Sequence, residues 1–272
     1  MKTIIAPVDF SAISENAALY AAKMAVATEA ELYLVHMITM PLSMSEATLT
    51  QYQYDAMIET AENDMRVLKE KLHEQTFGAL QVTSAVLTSN VEEALEALCS
   101  EKKPFAIIMG KERENNVERV LIGNHTIDAA RNLHCPVWAI PAGVSFQPFS
   151  KLVFACDFKD IDAIPKNEIR AVLNAFNASL CIVHVCKNEK EVIKSNTASA
   201  QVREAMNEFW PFIYTVINDS VEAGVEAFAE QHNMGPIIIV PKKKGVFDKL
   251  FRKSHSKPLI IKAHRPVIAI TG

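Results

Sequence analysis

The chain reads as an α/β protein made of two tandem domains, each a five-stranded parallel sheet with helices on both faces. Three observations predict it. The sequence is written twice. Short apolar runs alternate with longer amphipathic stretches, the pattern of β-α-β units. The apolar runs are rich in Ile, Val and Leu and mostly lack strict alternation, as strands buried on both faces should. The duplication is explicit. Thr3-Ile4-Ile5-Ala6-Pro7-Val8-Asp9-Phe10-Ser11 returns as Lys151-Leu152-Val153-Phe154-Ala155-Cys156-Asp157-Phe158-Lys159, and Ala30 to His36 returns as Ala178 to His184, both at an offset of 148 residues. Val91-Glu92 returns as Val221-Glu222, and Cys135 to Ile140 as Arg265 to Ile270, both at an offset of 130. Four matches on two offsets establish an internal repeat. The second copy is 18 residues shorter, the loss falling between His36 and Val91.

The elements follow in order. In the first copy the strands are expected at Thr3 to Val8, Glu31 to Ile38, Gln81 to Leu87, Phe105 to Met109 and Val137 to Ile140. Ser11 or Ser14 can cap a helix through Lys23, whose Ala17, Ala18, Ala21, Ala22 and Ala25 form a small-residue face. Ser45 to Gln75 reads as a long helix, Asn90 caps Val91 to Ser100, and Asn124 or Thr126 begins a helix that stops before Pro136. In the second copy the strands are Lys151 to Ala155, Leu180 to Val185, Phe212 to Ile217, Ile237 to Val240 and Val267 to Ile270. Its helices are Pro165 to Ala175, Lys190 to Phe209, Val221 to Gln231 and Lys257 to Ala263. The boundary falls at Ala142 to Pro148, which carries Gly143 and Pro148 and no helical period. The domains are therefore read as 1–142 and 150–272.

Composition narrows the class. The 272 residues accommodate two ordinary domains. Half the residues are apolar and 22% are charged, as in soluble globular chains. A net charge of −4 argues against a general nucleic-acid binder, which would be basic. No apolar run approaches a membrane span, and Asp9 interrupts any leader-like stretch. The expectation is a cytoplasmic protein without membrane or nucleic-acid partners. Cys99, Cys135, Cys156, Cys181 and Cys186 are odd in number and form no CxxC, so they read as small hydrophobes in a reducing compartment. His125, His134, His255 and His264 recur at matching places, but without the close ligand spacing of a structural zinc. His36 and His184 end buried strands and are expected to hydrogen-bond to backbone.

Ligands of an open α/β sheet sit beyond the carboxyl ends of the strands where strand order reverses. That directs attention to Asp9 after the first strand, Met37 after the second and Gly110 after the fourth. Asp9 is suited to accept hydrogen bonds from a ribose hydroxyl. Gly110 and Gly123 bracket a polar loop, and the second is expected to open a helix. Glycine lets backbone N–H groups approach an anion, and a helix start adds free donors and its dipole.

These residues resemble the universal stress protein family over nearly the whole chain, as two tandem Rossmann-like (adenine nucleotide alpha hydrolase-like) domains. The resemblance rests on Pro7-Val8-Asp9-Phe10-Ser11, Leu34-Val35-His36, Met109-Gly110 with Gly123 downstream, and Cys135-Pro136-Val137. Nucleotide-binding members carry G-x-x-G-x(9)-G-[ST]. Gly110 and Gly123 fit its first and third glycines; Arg113 replaces the second, and Asn124 the Ser/Thr. The resemblance implies an ATP site in the first domain formed by Pro7, Val8, Asp9, Met37, Met109, Gly110, Arg113, Gly123, Asn124, His125 and Thr126. Arg113 removes a close backbone approach and adds a cation able to pair with phosphate. Asn124 can still cap a helix. Glu112 and Glu114 bring negative charge beside the phosphate path.

In the second copy Asp157 survives, but Val240, Pro241, Lys253 and Ser254 stand where the glycine motif would be. Pro241 lacks an N–H and cannot cradle an anion. The segment from Lys242 to Ser256 is strongly basic. No G-x-S-x-G, GK[ST] or H-E-x-x-H signature occurs, so the expectation is a regulatory stress-response protein with at most slow ATP hydrolysis. The alternative is an interaction scaffold whose Lys242–Lys244 loop docks an acidic partner or anion. Family members pair through their last strand, so Val137 to Ile140 is expected against Val267 to Ile270, an intramolecular pseudo-dimer able to dimerise further.

Overall fold

The computed structural model describes residues 1–39, 50–111, 120–241 and 256–271. The first repeat supplies β1 (Lys2–Pro7), α1 (Ala12–Thr28), β2 (Ala30–Ile38), α2 (Gln51–Gln75), β3 (Val82–Thr88), α3 (Val91–Lys102), β4 (Ala106–Lys111), α4 (Val120–Asn132) and β5 (Val137–Pro141). The second supplies β6 (Lys151–Ala155), α5 (Lys166–Phe176), β7 (Ser179–Cys186), α6 (Glu189–Ala205), β8 (Phe212–Ile217), α7 (Val221–Gln231), β9 (Ile237–Ile239), α8 (Ser256–Lys262) and β10 (Val267–Ala269). The α/β alternation expected from the sequence is the alternation observed.

The chain divides into two compact units. One comprises Met1–Gly110 with Ala142–Phe146; the other comprises Lys111–Pro141 with Gln147–Gly272. The sequence repeat divides at 1–142 and 150–272, whereas compactness groups α4 and β5 with the second repeat. The cause is strand pairing. β5 runs antiparallel to β10, with Val137 opposite Ala269, Trp138 opposite Ile268 and Ala139 opposite Val267. This is the pairing of last strands that the sequence suggested. Thr271 Oγ1 also donates to the Leu133 carbonyl. Trp138 is fully buried and its ring meets those of Phe149 and Phe176, centroids 6.5 and 5.7 Å away.

In the first unit the strand order is β3-β2-β1-β4, all parallel. In the second it is β5-β10-β9-β6-β7-β8, parallel except at β5–β10. The second repeat therefore has its own five strands in the order 3-2-1-4-5, and the first four strands of the first repeat follow the same order. Order reverses between β1 and β4 and between β6 and β9, the switch points at which such sheets bind ligands.

Local sequence explains the details. Ser11 caps α1, its hydroxyl accepting from the Ser14 N–H at 3.2 Å. Ala17, Ala18, Ala21, Ala22 and Ala25 are all fully buried, so α1 lies close on its sheet. Thr50 and Gln53 form a capping box at the start of α2; the expected start at Ser45 lies outside the described residues. In the second repeat Pro165, standing where α1 has Ala17, precedes α5, whose first residue is Lys166; a 3₁₀ turn, Ile161–Ala163, replaces the opening turns of α1. Proline cannot occupy a helix interior without loss of a hydrogen bond and a clash. The expected helix Lys190 to Phe209 ends at Ala205 and continues as a 3₁₀ turn, Asn207–Phe209.

Candidate functional site

The chain leaves β1 through a tight turn fixed by its own side chains. Pro7 and Val8 are buried; Asp9 emerges into solvent. The Ser11 N–H donates to Asp9 Oδ1 at 3.0 Å, and the Asp9 N–H donates to Ser14 Oγ at 3.2 Å. Phe10 takes a left-handed conformation, φ 60°, which costs a bulky residue energy and must be held by its surroundings. Two contacts hold it. The Phe10 ring lies 4.7 Å from the His36 ring, and His36 Nδ1 hydrogen-bonds the Val8 carbonyl at 2.8 Å. A carbonyl can only accept, so Nδ1 carries the hydrogen. The histidine that closes β2 thus anchors the turn that presents Asp9, as its place at a strand end suggested.

The second repeat reproduces this device. His184 Nδ1 bonds the Cys156 carbonyl at 2.9 Å, its ring stacks on Phe158 at 4.3 Å, and the Lys159 N–H donates to Asp157 Oδ1 at 3.0 Å. Phe158 is again left-handed, φ 57°. The role of Phe10 and Phe158 escaped the sequence reading, although the dipeptide Asp-Phe recurs in both copies.

Asp9 is held ionised. Partial burial works against its charge, but hydrogen bonds from Ser11 and Ser14 outweigh burial and keep its carboxyl below the ordinary carboxylate range. A carboxylate with one N–H bound to Oδ1 retains acceptor capacity for a further ligand.

The other expected residues are placed as follows. Met37 lies within β2 rather than after it, and is half-buried. Met109 is buried and Gly110 half-buried, both within β4, which runs on through Lys111. Gly110 has a packing reason to be glycine: a Cβ there would stand 2.6 Å from Ile13 Cγ2 and 2.8 Å from the Ile13 carbonyl. Its counterpart Val240 has a side chain and lies just past β9. Arg113 and the basic segment Lys242–Lys244 lie outside the described residues. Gly123, Asn124, His125 and Thr126 all fall inside α4, which begins at Val120. Gly123 therefore does not open the helix; Val120 to Ile122 carry no breaking residue, and the ladder extends back through them. His125 is exposed, whereas Thr126 is buried at 1%. The polar loop expected between Gly110 and Gly123 includes Lys111, which the structure places at the end of β4. Its ammonium is buried instead, donating to the carbonyls of Ala263 at 2.5 Å and Ile261 at 3.4 Å at the end of α8.

A model of the universal stress protein family matches residues 1–141. The chain belongs to that family. Among its relatives, universal stress protein MJ0531 of Methanocaldococcus jannaschii is 23% identical over 139 residues, 51% of this chain and 81% of that protein. A universal stress protein from Archaeoglobus fulgidus superposes over 99% of this chain and 98% of its own, with a TM-score of 0.70 at 14% identity. The cytoplasmic domain of a prokaryotic cation chloride cotransporter superposes over 98% and 93%, with a TM-score of 0.52 at 10% identity. At such identities the structural likenesses establish the fold, not what is bound. Family membership supports a stress-response role. Among the described residues, no helix is long and apolar enough to cross a membrane, and no group of three or more His, Cys, Asp or Glu is arranged to hold a metal. All five cysteines are free thiols.

Proposed function

We propose that this universal stress protein binds an adenine nucleotide, ATP, through its first repeat and acts through binding rather than turnover. The observation that carries the reading is Asp9 together with Gly110: an ionised, exposed carboxylate fixed at the carboxyl end of β1, beside a fourth strand that carries glycine near its end, where strand order reverses. Such a carboxylate suits the hydroxyls of a ribose, and the half-buried Met37 offers polarizable surface suited to an adenine, whereas the buried Met109 enters the reading through the sequence motif. Pro7, Val8 and Gly110 shape the same strand ends. Arg113, Gly123, Asn124, His125 and Thr126 enter the reading through the sequence motif, as the phosphate side. The second repeat keeps the turn at Asp157 but has Val240 and Pro241 where the first has Gly110 and Lys111, and we assign it no nucleotide. Regulatory action fits a chain without a recognisable catalytic set.

The test is to denature freshly purified protein and identify released small molecules by liquid chromatography and mass spectrometry, then to titrate ATP calorimetrically. Adenine nucleotide near one equivalent per chain, with affinity lost in both Asp9→Ala and Gly123→Val, is the expected result. A protein that is empty and also indifferent to added ATP would overturn the proposal; unchanged affinity in both variants would overturn the residue assignment.

A further inference from the structure

We infer that β8 is a self-association surface, and that two copies of this chain pair through it as antiparallel edge strands. β8 is the outermost strand of the second unit's sheet: β7 lies on one side, and no described strand pairs with the other. An edge strand presents unpaired N–H and C=O groups, and natural proteins usually blunt it with lysine, proline, a bulge or brevity. None of these operates within Phe212–Ile217. The six residues are Phe-Ile-Tyr-Thr-Val-Ile, all β-branched or aromatic, and no charged residue occurs from Trp210 to Ile217.

The burial pattern is equally unusual. None of the six residues of β8 is buried. Phe212 is 60% exposed, Ile217 51% and Tyr214 39%, and Trp210, just before the strand, is 88% exposed. Trp210 is also held in the left-handed region, φ 46°, at the end of the 3₁₀ turn, so a large aromatic is displayed on a fixed backbone. The outer strand of the first unit, β3, differs: it is also uncharged, but it carries no large exposed apolar side chain.

Self-complementarity and area select a second copy as the occupant. Antiparallel pairing of β8 with itself about Tyr214 sets Phe212 across from Val216, Ile213 across from Thr215 and Tyr214 across from its own counterpart, each pair on one face of the sheet. Those are the aromatic and β-branched cross-strand pairs that stabilise sheets. The arrangement is isologous and closes, so it consumes both edges at once. The exposed parts of Trp210, Phe212, Tyr214 and Ile217 offer about 500 Å² of apolar surface per copy on usual side-chain areas. In two copies that is at most roughly 1,000 Å² of side-chain surface, and the paired backbones add to it, an area that reaches the threshold of a specific interface. A charged peptide partner would find no complementary charge on this strand.

Sedimentation velocity of the full chain from about 1 to 100 μM, with hydrogen exchange at both extremes, tests the inference. The expected result is a concentration-dependent monomer–dimer equilibrium in which β8 amides gain protection at high concentration. Phe212→Lys with Ile217→Lys should raise the dissociation constant about 30-fold or more, as loss of a central anchor does, while far-ultraviolet circular dichroism stays unchanged. A chain monomeric throughout, an open-ended series of larger oligomers, or a dimer that survives both lysines would overturn it. Should the lysine variant fail to fold, the hydrogen-exchange comparison on the unmodified chain decides: dimerisation without added protection in β8 would place the interface elsewhere.

Discussion

Gly110 is the position at which two physical accounts part, and Gly110→Ala separates them. As a ligand-side glycine it would be needed for close approach of an anion, and alanine would cost binding alone. The structure supplies another reason. The new Cβ would stand 2.6 Å from Ile13 Cγ2 and 2.8 Å from the Ile13 carbonyl, against an optimum of about 3.5–4.0 Å for carbon contacts. The methyl can turn aside. The carbonyl cannot, because it belongs to the first turn of α1, whose following residues Ala17 and Ala18 are fully buried. Relief requires α1 and β4 to separate by about 1 Å, and overpacking of this kind costs about 1–3 kcal/mol. One effect opposes it: alanine restricts the unfolded chain and returns about 0.4–1 kcal/mol where its backbone is compatible. Gly110 does not lie at positive φ, so that gain is available, and the clash must exceed it. The net expectation is a loss of about 1–2 kcal/mol, or a fall in melting midpoint of about 2–8 °C for a chain of this size. Differential scanning calorimetry reads it. In an Ile13→Ala background the penalty should shrink but persist, since the carbonyl remains. A midpoint equal to or above that of the unmodified chain would refute the packing argument.

Other expectations follow from the same turn and its neighbours. His36→Ala removes the hydrogen bond to the Val8 carbonyl and the ring contact with Phe10, which should cost about 1–2 kcal/mol. It should lower the urea midpoint without changing the slope, and His184→Ala should behave alike because its contacts are the same. Asp9 has a depressed folded-state carboxyl, so its stabilising contribution is present above the unfolded-state value near 3.8 and fades as pH falls through the lower folded value. Asp9→Asn, which keeps an acceptor for the Ser11 N–H, should therefore flatten the acid limb of stability below about pH 4; an unchanged acid limb in thermal melts would count against the ionised turn. Lys111→Met strips the Ala263 and Ile261 carbonyls of their buried donor and should cost about 1–3 kcal/mol. Its trace in hydrogen exchange should be faster amides in α8, and an α8 as protected as before would show that the lysine is dispensable.

Much of the architecture was legible because it depends on short-range pattern. Apolar runs fixed the strands to within a residue or two, and caps such as Ser11 and Asn90 fixed helix starts. The duplication told where each element recurs. What the sequence hid depends on residues far apart in the chain. Gly110 meets Ile13 across nearly a hundred residues, so a glycine shaped by packing looks like one shaped by a ligand. Lys111 resembles a solvated loop cation until α8 folds against it. Cap-type residues misled at α4: Asn124 and Thr126 suggested a start that the helix passes through from Val120. The left-handed Phe10 and Phe158 carry no composition signal, since phenylalanine is a poor choice for that conformation; only their recurrence in both copies marked them.

Two repeats in one chain provide an internal control on which features belong to the frame. The Asp turn, the left-handed Phe and the histidine anchor occur in both, at nearly equal distances. A feature present in both repeats cannot by itself confer an activity assigned to one. The anchor is therefore part of the scaffold, and under the proposed function its Asp would serve a ligand only where the neighbouring strand end permits. That neighbour is where the repeats diverge. Gly110 allows α1 to begin close against β4, with Ser11, Ile13 and Ser14 in its opening turn. With Val240 in the equivalent place and Pro165 in the equivalent of α1, the second repeat replaces that opening with a 3₁₀ turn. On the proposed assignment, the difference between the repeats would be set by the end of the fourth strand and the start of the first helix. Exchanging those residues between the repeats, rather than exchanging Asp9 and Asp157, is the substitution that should move nucleotide affinity from one repeat to the other; affinity that followed the aspartate alone would show that the carboxylate, not its neighbour, sets the difference.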